Sequence, residues 1–182
     1  MDAFETLVSE LLWAKGYWVQ TSVRVNLTKE EKKDIGRKTS PRWELDVVAY
    51  KGGTNELLVI ECKSFLDSAG VGFDSFKEPI KKNRYKLFVD NKLRNTVFNR
   101  LKMQFSDLGA CRKDVNIKLA LAAGKIKSDG DRSELEKYFE ESGWLLFDEK
   151  WLKCELHALA RGGYENQISS VVAKLLLRDR PK

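Results

Sequence analysis

Two apolar runs, Trp43 to Tyr50 and Leu57 to Ser64, stand on either side of Gly52-Gly53 and Asn55. Runs of this length, rich in Val, Ile, Leu and aromatic residues and joined by a short polar turn, fold as neighbouring strands of a hairpin-like meander. Each run also carries charge where a strand disfavours it. Asp46 sits in the middle of the first, and Glu61 and Lys63 close the second. A chain built this way folds around a sheet and carries two carboxylates and an ammonium into it.

Strand alternation predicts that Trp43, Leu45, Val47 and Ala49 share one face, with Glu44, Asp46, Val48 and Tyr50 on the other. On the second run, Leu58, Ile60 and Cys62 oppose Leu57, Val59, Glu61 and Lys63. If the strands pair, Asp46, Glu61 and Lys63 converge at one sheet edge. A hard cation such as Mg²⁺ takes one or two carboxylates and completes its shell with water and phosphate. Asp46 and Glu61 can supply those oxygens, together with the Cys62 backbone carbonyl. Such a cation lowers the pKa of bound water and neutralises phosphate charge. Lys63 can hold the attacking water, stabilise the transition state, or act as a base if its pKa is depressed. The letters Glu-x-Lys alone say little, since overlapping copies run from Glu30 to Lys33 in a polar stretch. Only Glu61-Cys62-Lys63 closes an apolar strand and follows a strand with a central Asp. The competing reading is a surface salt bridge between Glu61 and Lys63. Glu44 is an accessory ligand or, more simply, an ion-pair partner of Arg42 or Lys63. Cys62, opposite the acids, reads as a small core residue.

Around this pair the periodicities predict one α/β domain. Phe4, Leu7, Val8, Leu11 and Leu12 mark an amphipathic helix over 2–15, stopped by Gly16. Val19 to Leu27 alternates as a strand, and 28–42 is polar and reads as a long loop or hairpin tip. A loop over 65–76 leads to a helix from about 79 to 107, broken at most once. Ile117–Ala123 is a fourth strand. Ser133-x-x-Glu136 is a capping box before a short helix, Trp144–Phe147 a fifth strand, and 149–160 a helix ended by Gly162-Gly163. A last amphipathic helix carries Ile168, Val171, Val172, Leu175 and Leu176. His157, Trp144 and Trp151 read as structural.

Charge narrows the partner. Nine of the chain's basic residues fall between Lys77 and Lys102 against Glu78 and Asp90, giving that segment +7 in a chain of net +6. A basic stripe is the footprint of a polyanion, although a solvated helix face looks the same. Lys81, Lys82, Arg84 and Lys86 lie nearest the acidic strand and are the expected phosphate contacts. A single histidine and three scattered cysteines exclude a histidine triad, a zinc centre and a disulfide frame. The absence of a long apolar run and of a basic leader points to a cytoplasmic protein.

Trp43-Glu44-Leu45-Asp46-Val47-Val48-Ala49-Tyr50 followed by Leu57-Leu58-Val59-Ile60-Glu61-Cys62-Lys63-Ser64 resembles the core of the PD-(D/E)XK nuclease superfamily. Phe4-Glu5-Thr6-Leu7-Val8, Leu11-Leu12, Gly16-Tyr17 and Val19 resemble its first helix and strand. Holliday-junction resolvases of archaea and Mrr-type restriction enzymes are nearest in flavour. The resemblance covers residues 1–64, and leaves 125–182 as a C-terminal extension on a single domain over 1–182. It implies a restriction-endonuclease-like α-β-β-β-α-β core, a central mixed sheet flanked by helices, with extra C-terminal helices. It also implies a nuclease using Mg²⁺, or Mn²⁺ in its place, with Asp46 and Glu61 as metal ligands and Lys63 as catalytic lysine. Glu5 matches the acid many members carry on the first helix. At 100° per residue Glu5 lies on the rim of the apolar stripe, whereas Glu10 points away. A first-turn acid favoured by the helix dipole is the alternative for Glu5. Leu45 stands where the family name has proline, and no Gln-x-x-x-Tyr motif follows. The expected activity is a DNA endonuclease in restriction, repair, recombination or a mobile element. The resemblance also implies a 5′-phosphate product, often a homodimer, and room for a targeting subunit. The alternatives are a non-catalytic nucleic-acid-binding module on the same fold and a metal-dependent RNase.

Overall fold

A computed structural model describes residues 2–37, 42–77, 84–163 and 166–178. Five strands form one open sheet in chain order: β1 (Trp18–Val25), β2 (Trp43–Lys51), β3 (Glu56–Lys63), β4 (Asn116–Ala123) and β5 (Leu145–Phe147). β1, β2 and β3 pair antiparallel, while β3, β4 and β5 run parallel. The mixture follows from the connections. A four-residue turn, with Asn55 in the left-handed region at φ 51°, reverses the chain between β2 and β3. The longer crossovers to β4 and β5 contain helices and therefore return the chain parallel.

Helices cover both faces, so β3 and β4 are nearly continuous apolar runs. On one face α1 (Ala3–Ala14), α7 (Glu149–Arg161) and α8 (Ile168–Leu177) pack over Val47, Ala49, Leu58, Ile60, Ala120 and Ala122. On the other, Phe76, Phe88, Leu93, Val97, Leu101, Leu135 and Phe139 pack over Val48, Leu57, Val59, Leu119 and Leu121. These come from α3 (Asp74–Lys77), α4 (Lys86–Val89), α5 (Asn91–Asp107) and α6 (Asp129–Ser142). Residues beyond 125 thus supply an edge strand and part of both layers.

Several elements differ from the sequence reading. The polar stretch after β1 contains α2 (Lys29–Asp34), opened by a capping box between Thr28 and Glu31 and tied to α5 by Arg100, whose Nη2 lies 2.7 Å from Glu31 Oε1. The helix expected from about 79 to 107 with at most one break is α4 followed by α5; it starts at Lys86, and its break falls at Asp90, which accepts the N–H of Leu93 at 2.9 Å and restarts the helix. Pro79 lies outside the described residues. α6 begins at Asp129 under an Ser128 cap, and Ser133 is inside it, donating to Asp129 O.

The face assignment of β2 is corrected too. Leu45 packs with Val48 on the α5 side, while Val47 and Ala49 lie on the α1 side. β1 does the same: Val19 belongs with α1, Val23 and Val25 with α5. The β1–β2 pairing keeps one register throughout but is interrupted at Ser22, opposite Asp46, and Ser22 has φ 51°. Both strands therefore change faces at the same level, and the carboxylate of Asp46 sits at that discontinuity.

Candidate active site

The β2–β3 ladder runs from Lys51–Glu56 to Val47–Ile60. One register step further, Asp46 falls opposite Glu61. There a side chain replaces the backbone ladder, as Asp46 Oδ2 accepts the N–H of Cys62 at 2.8 Å. The carboxylate is thereby pinned to the peptide that joins Glu61 to Cys62. Lys63 Nζ donates to Glu61 Oε1 at 2.5 Å and to the Cys62 carbonyl at 3.1 Å. Two oxygens from consecutive residues thus converge on one cationic centre. Cys62 turns its thiol into the α1-side core, where burial and the neighbouring acids push its pKa up, so it is an inert thiol.

Glu61 and Lys63 form no exposed surface pair: their side chains retain 23% and 22% of their accessibility. Burial raises the Glu61 pKa; Lys63 opposes that rise, and the negative charges of Asp46 and Glu5 add to it. Burial alone would lower the Lys63 pKa, but the Glu61 and Asp46 carboxylates outweigh it and hold the ammonium above its ordinary value. With those carboxylates beside it, Lys63 is held as an ammonium.

Glu5 belongs to the N-terminal capping box of α1, accepting the Asp2 N–H at 3.2 Å while Asp2 Oδ1 accepts its own N–H at 2.8 Å. Its charge also reaches Glu61 and Cys62. Glu5 is thus a first-turn capping acid whose charge is felt at Glu61. Among the described residues the neighbourhood then holds three carboxylates, Glu5, Asp46 and Glu61, against the Lys63 ammonium. Among the described residues no three His, Cys, Asp or Glu side chains are grouped as a metal cage. The oxygen set that fits a hard cation is Asp46, Glu61 and the Cys62 carbonyl. Its fit rests on the convergence of the last two and on the surplus negative charge around them.

Two features held the site from outside the reach of sequence reading. Phe65, two residues beyond Lys63, adopts φ 44°, a conformation that a bulky residue rarely takes. With Ser22 it places a left-handed non-glycine residue on each side of the acids, and such strain gathers at functional sites. Gly124 fixes the end of the strand pair. Its N–H donates to Lys63 O at 2.9 Å, and a Cβ there would meet Ser64 O at 2.2 Å.

The basic stripe divides. Arg94 donates to Leu87 O at 2.9 Å and lies over the Trp144 ring, and Arg100 holds Glu31, so both are structural. Arg84 is exposed and lines a cleft of about 470 Å³ with Phe65, Ser68, Gly70 and Tyr85, next to the end of β3. Lys86 is half-buried. Lys81 and Lys82 lie outside the described residues. Glu44 faces Arg24 across the β1–β2 register at 3.9 Å, in place of the expected Arg42 or Lys63. His157 is exposed on α7, with no place in the core.

Comparisons of the chain with known protein families, with curated proteins and with solved structures find no match. No helix among the described residues is long and apolar enough to cross a membrane.

Proposed function

We propose that the chain is a metal-dependent nuclease of the PD-(D/E)XK type, with a restriction-endonuclease-like core, that hydrolyses phosphodiester bonds of DNA. The observation that carries this reading is the bond from the Cys62 N–H to Asp46 Oδ2. It joins the acid of β2 to the Glu-x-Lys of β3 at the level where the strands change faces. The element order α1-β1-β2-β3-α5-β4 supports the fold assignment, and the charge of Glu5 at Glu61 supports the first-helix acid.

Asp46, Glu61 and the Cys62 carbonyl would hold Mg²⁺, or Mn²⁺ in its place. When bound, the ion acidifies water and neutralises phosphoryl charge. Lys63, kept cationic by its acids, orients the attacking water and stabilises the negative charge that builds on the phosphoryl oxygens. Water adds to phosphorus, the bond to the 3′-oxygen breaks, and a 5′-phosphate and a 3′-hydroxyl result. Arg84, at the cleft mouth, and Lys86 contact flanking phosphates, and each such contact steepens the salt dependence of binding.

The test is cleavage of supercoiled, linear, single-stranded and branched DNA, and of RNA, in Mg²⁺ or Mn²⁺. EDTA and Lys63→Ala serve as controls. Metal-dependent cutting of DNA that Lys63→Ala abolishes is the expected result. Preferential cutting of RNA makes the chain a ribonuclease. Binding without cutting, unchanged in Lys63→Ala, makes it a nucleic-acid-binding module.

A further inference from the structure

β3 and β4 end side by side, and the loops that leave them are strapped together next to the candidate site. The Val71 N–H donates to Lys125 O and the Lys127 N–H to Val71 O, both at 2.9 Å, in a parallel bridge between Val71 and Ile126. Lys125 Nζ reaches back to Ser68 O at 2.7 Å, and Asp131 Oδ1 accepts the Phe73 N–H at 2.8 Å. Gly70 has φ 95°, and a Cβ there would meet Lys125 O at 2.9 Å, so the two backbones touch. These bonds fix the wall of the cleft of about 470 Å³ that Phe65, Ser68, Ala69 and Gly70 help to line. The cleft opens on the face of the sheet that Glu61 and Lys63 share. Cys62 packs on the α1 side, so its strand neighbours turn to the other side, and Phe65 packs against the core of that other side. Phe65 follows Lys63 by two residues, at most ~7 Å along the chain.

We propose that this cleft takes one unpaired nucleotide of the strand to be cut, next in line to the phosphate at Lys63. The substrate class is then single-stranded DNA, or a duplex with unpaired nucleotides at the cut. The volume falls in the range of ~300–1,000 Å³ that houses single small molecules, so one nucleotide enters and a base pair with both its backbones does not. Phe65, half-buried, offers a ring for stacking, which any base can use. Leu66, the next residue, is 63% exposed. Apolar surface next to a phosphate-cleaving site is of no use to a phosphate, but an unstacked base covers it. Lys125 supplies the charge. One of its three N–H donors goes to a neutral carbonyl, which does not cancel the charge, and the other two have no partner among the described residues. A ring and a cation side by side are what single-strand grooves combine, whereas a duplex is held by phosphate contacts spread over its backbones. The cut in this proposal rests on the nuclease reading; the binding of the unpaired nucleotide does not.

Fluorescence anisotropy of the full chain in EDTA, with a labelled single strand of DNA and with its fully paired duplex, tests the binding. The single strand is expected to bind tighter by roughly tenfold, the worth of one base stack. Phe65→Ala removes that preference and leaves duplex binding as it was. Ala69→Leu, which fills the cleft from an exposed lining residue, does the same without touching the core. Circular dichroism confirms that both variants are folded. Lys125→Gln lowers the slope of log affinity against log salt for the single strand by about 0.7, one phosphate contact, and an unchanged slope overturns that contact. Equal or tighter binding of the duplex overturns the proposal, as does a preference that survives both Phe65→Ala and Ala69→Leu. In Mg²⁺ the single strand, and a gapped duplex at its gap, are expected to be cut while the paired duplex is spared. Cutting of the paired duplex as fast as the single strand overturns the proposal and leaves the nuclease reading standing. A single-strand preference in binding, with no substrate cut, overturns the nuclease reading and leaves the unpaired nucleotide in the cleft.

Discussion

Asp46 accepts the backbone N–H of Cys62 through Oδ2 at 2.8 Å, so one carboxylate both closes the β2–β3 ladder and stands in the candidate site. Its two duties separate by substitution. Asp46→Asn keeps a carbonyl oxygen for the N–H and loses the charge, whereas Asp46→Ala loses both. Asp46→Ala is expected to cost about 1–3 kcal/mol in urea unfolding, from the unsatisfied peptide group. Asp46→Asn is expected to unfold close to wild type, and both abolish metal-dependent cleavage. Equal stability of wild type and Asp46→Ala would mean that the bond contributes nothing to the fold.

The acids around Lys63 set a pH dependence. The Glu61 pKa is raised above the ordinary 4.5, chiefly by burial. The folded state therefore binds that proton more tightly than the unfolded state does. The stability linked to this proton is full below 4.5 and is lost as pH rises through the raised value. Cleavage needs the ionised carboxylate, so the rising limb of the pH–rate profile is expected above 4.5, moving down as Mg²⁺ is increased. Lys63, raised above 10.5, adds no falling limb near neutrality. Initial rates across pH at two Mg²⁺ concentrations measure this. A limb that stays at or below 4.5 when extrapolated to zero Mg²⁺ would show Glu61 to be solvated, contrary to its burial.

Gly124 cannot carry a side chain without moving Ser64 O, 2.2 Å from its ideal Cβ. Gly124→Ala is expected to destabilise by about 1–3 kcal/mol, as overpacking does. Because the displaced peptide follows Lys63 directly, activity should fall even at temperatures where the variant is fully folded. Thermal unfolding and a cleavage assay on the same preparation separate the two effects.

Among the described residues beyond 125, Arg132 is the buried cation. Only 8% of its side chain is accessible, and it binds both Asp148, the N-cap of α7, and Glu149. Arg132→Ala leaves those carboxylates without their cation and is expected to cost about 3–5 kcal/mol. Arg132→Lys, which lacks the fork, recovers only part of it. Denaturant midpoints of the two variants decide, and an Arg132→Ala chain as stable as wild type would make the cluster solvent-compensated.

Much of the architecture was legible in the sequence because apolar runs and turn residues report strands directly. β2, β3, β4 and the turn at Gly52–Asn55 lie where the periodicity puts them. The convergence of Asp46 with Glu61 and Lys63 followed from pairing two neighbouring strands. The change of faces did not, because alternation assumes an unbroken pleat. Ser22 gives no warning either: asparagine or glycine signals the left-handed region and serine does not. α2 was hidden because it buries no side chain, although Thr28 and Glu31 spelled its cap. At α6 two serines each precede an acid by three residues, Ser128 before Asp131 and Ser133 before Glu136. Only packing decides which one opens the helix.

The ammonium that meets the acids of the site comes from the same strand, two residues from Glu61. Its neutralising charge is therefore local in the chain, and no long loop has to close to bring it there. When β2 docks on β3 during folding, Asp46 approaches a segment whose acid already has its counter-charge. The repulsion that would oppose the strand pairing is reduced before the pairing occurs, so collapse of the sheet need not wait for an ion from solution.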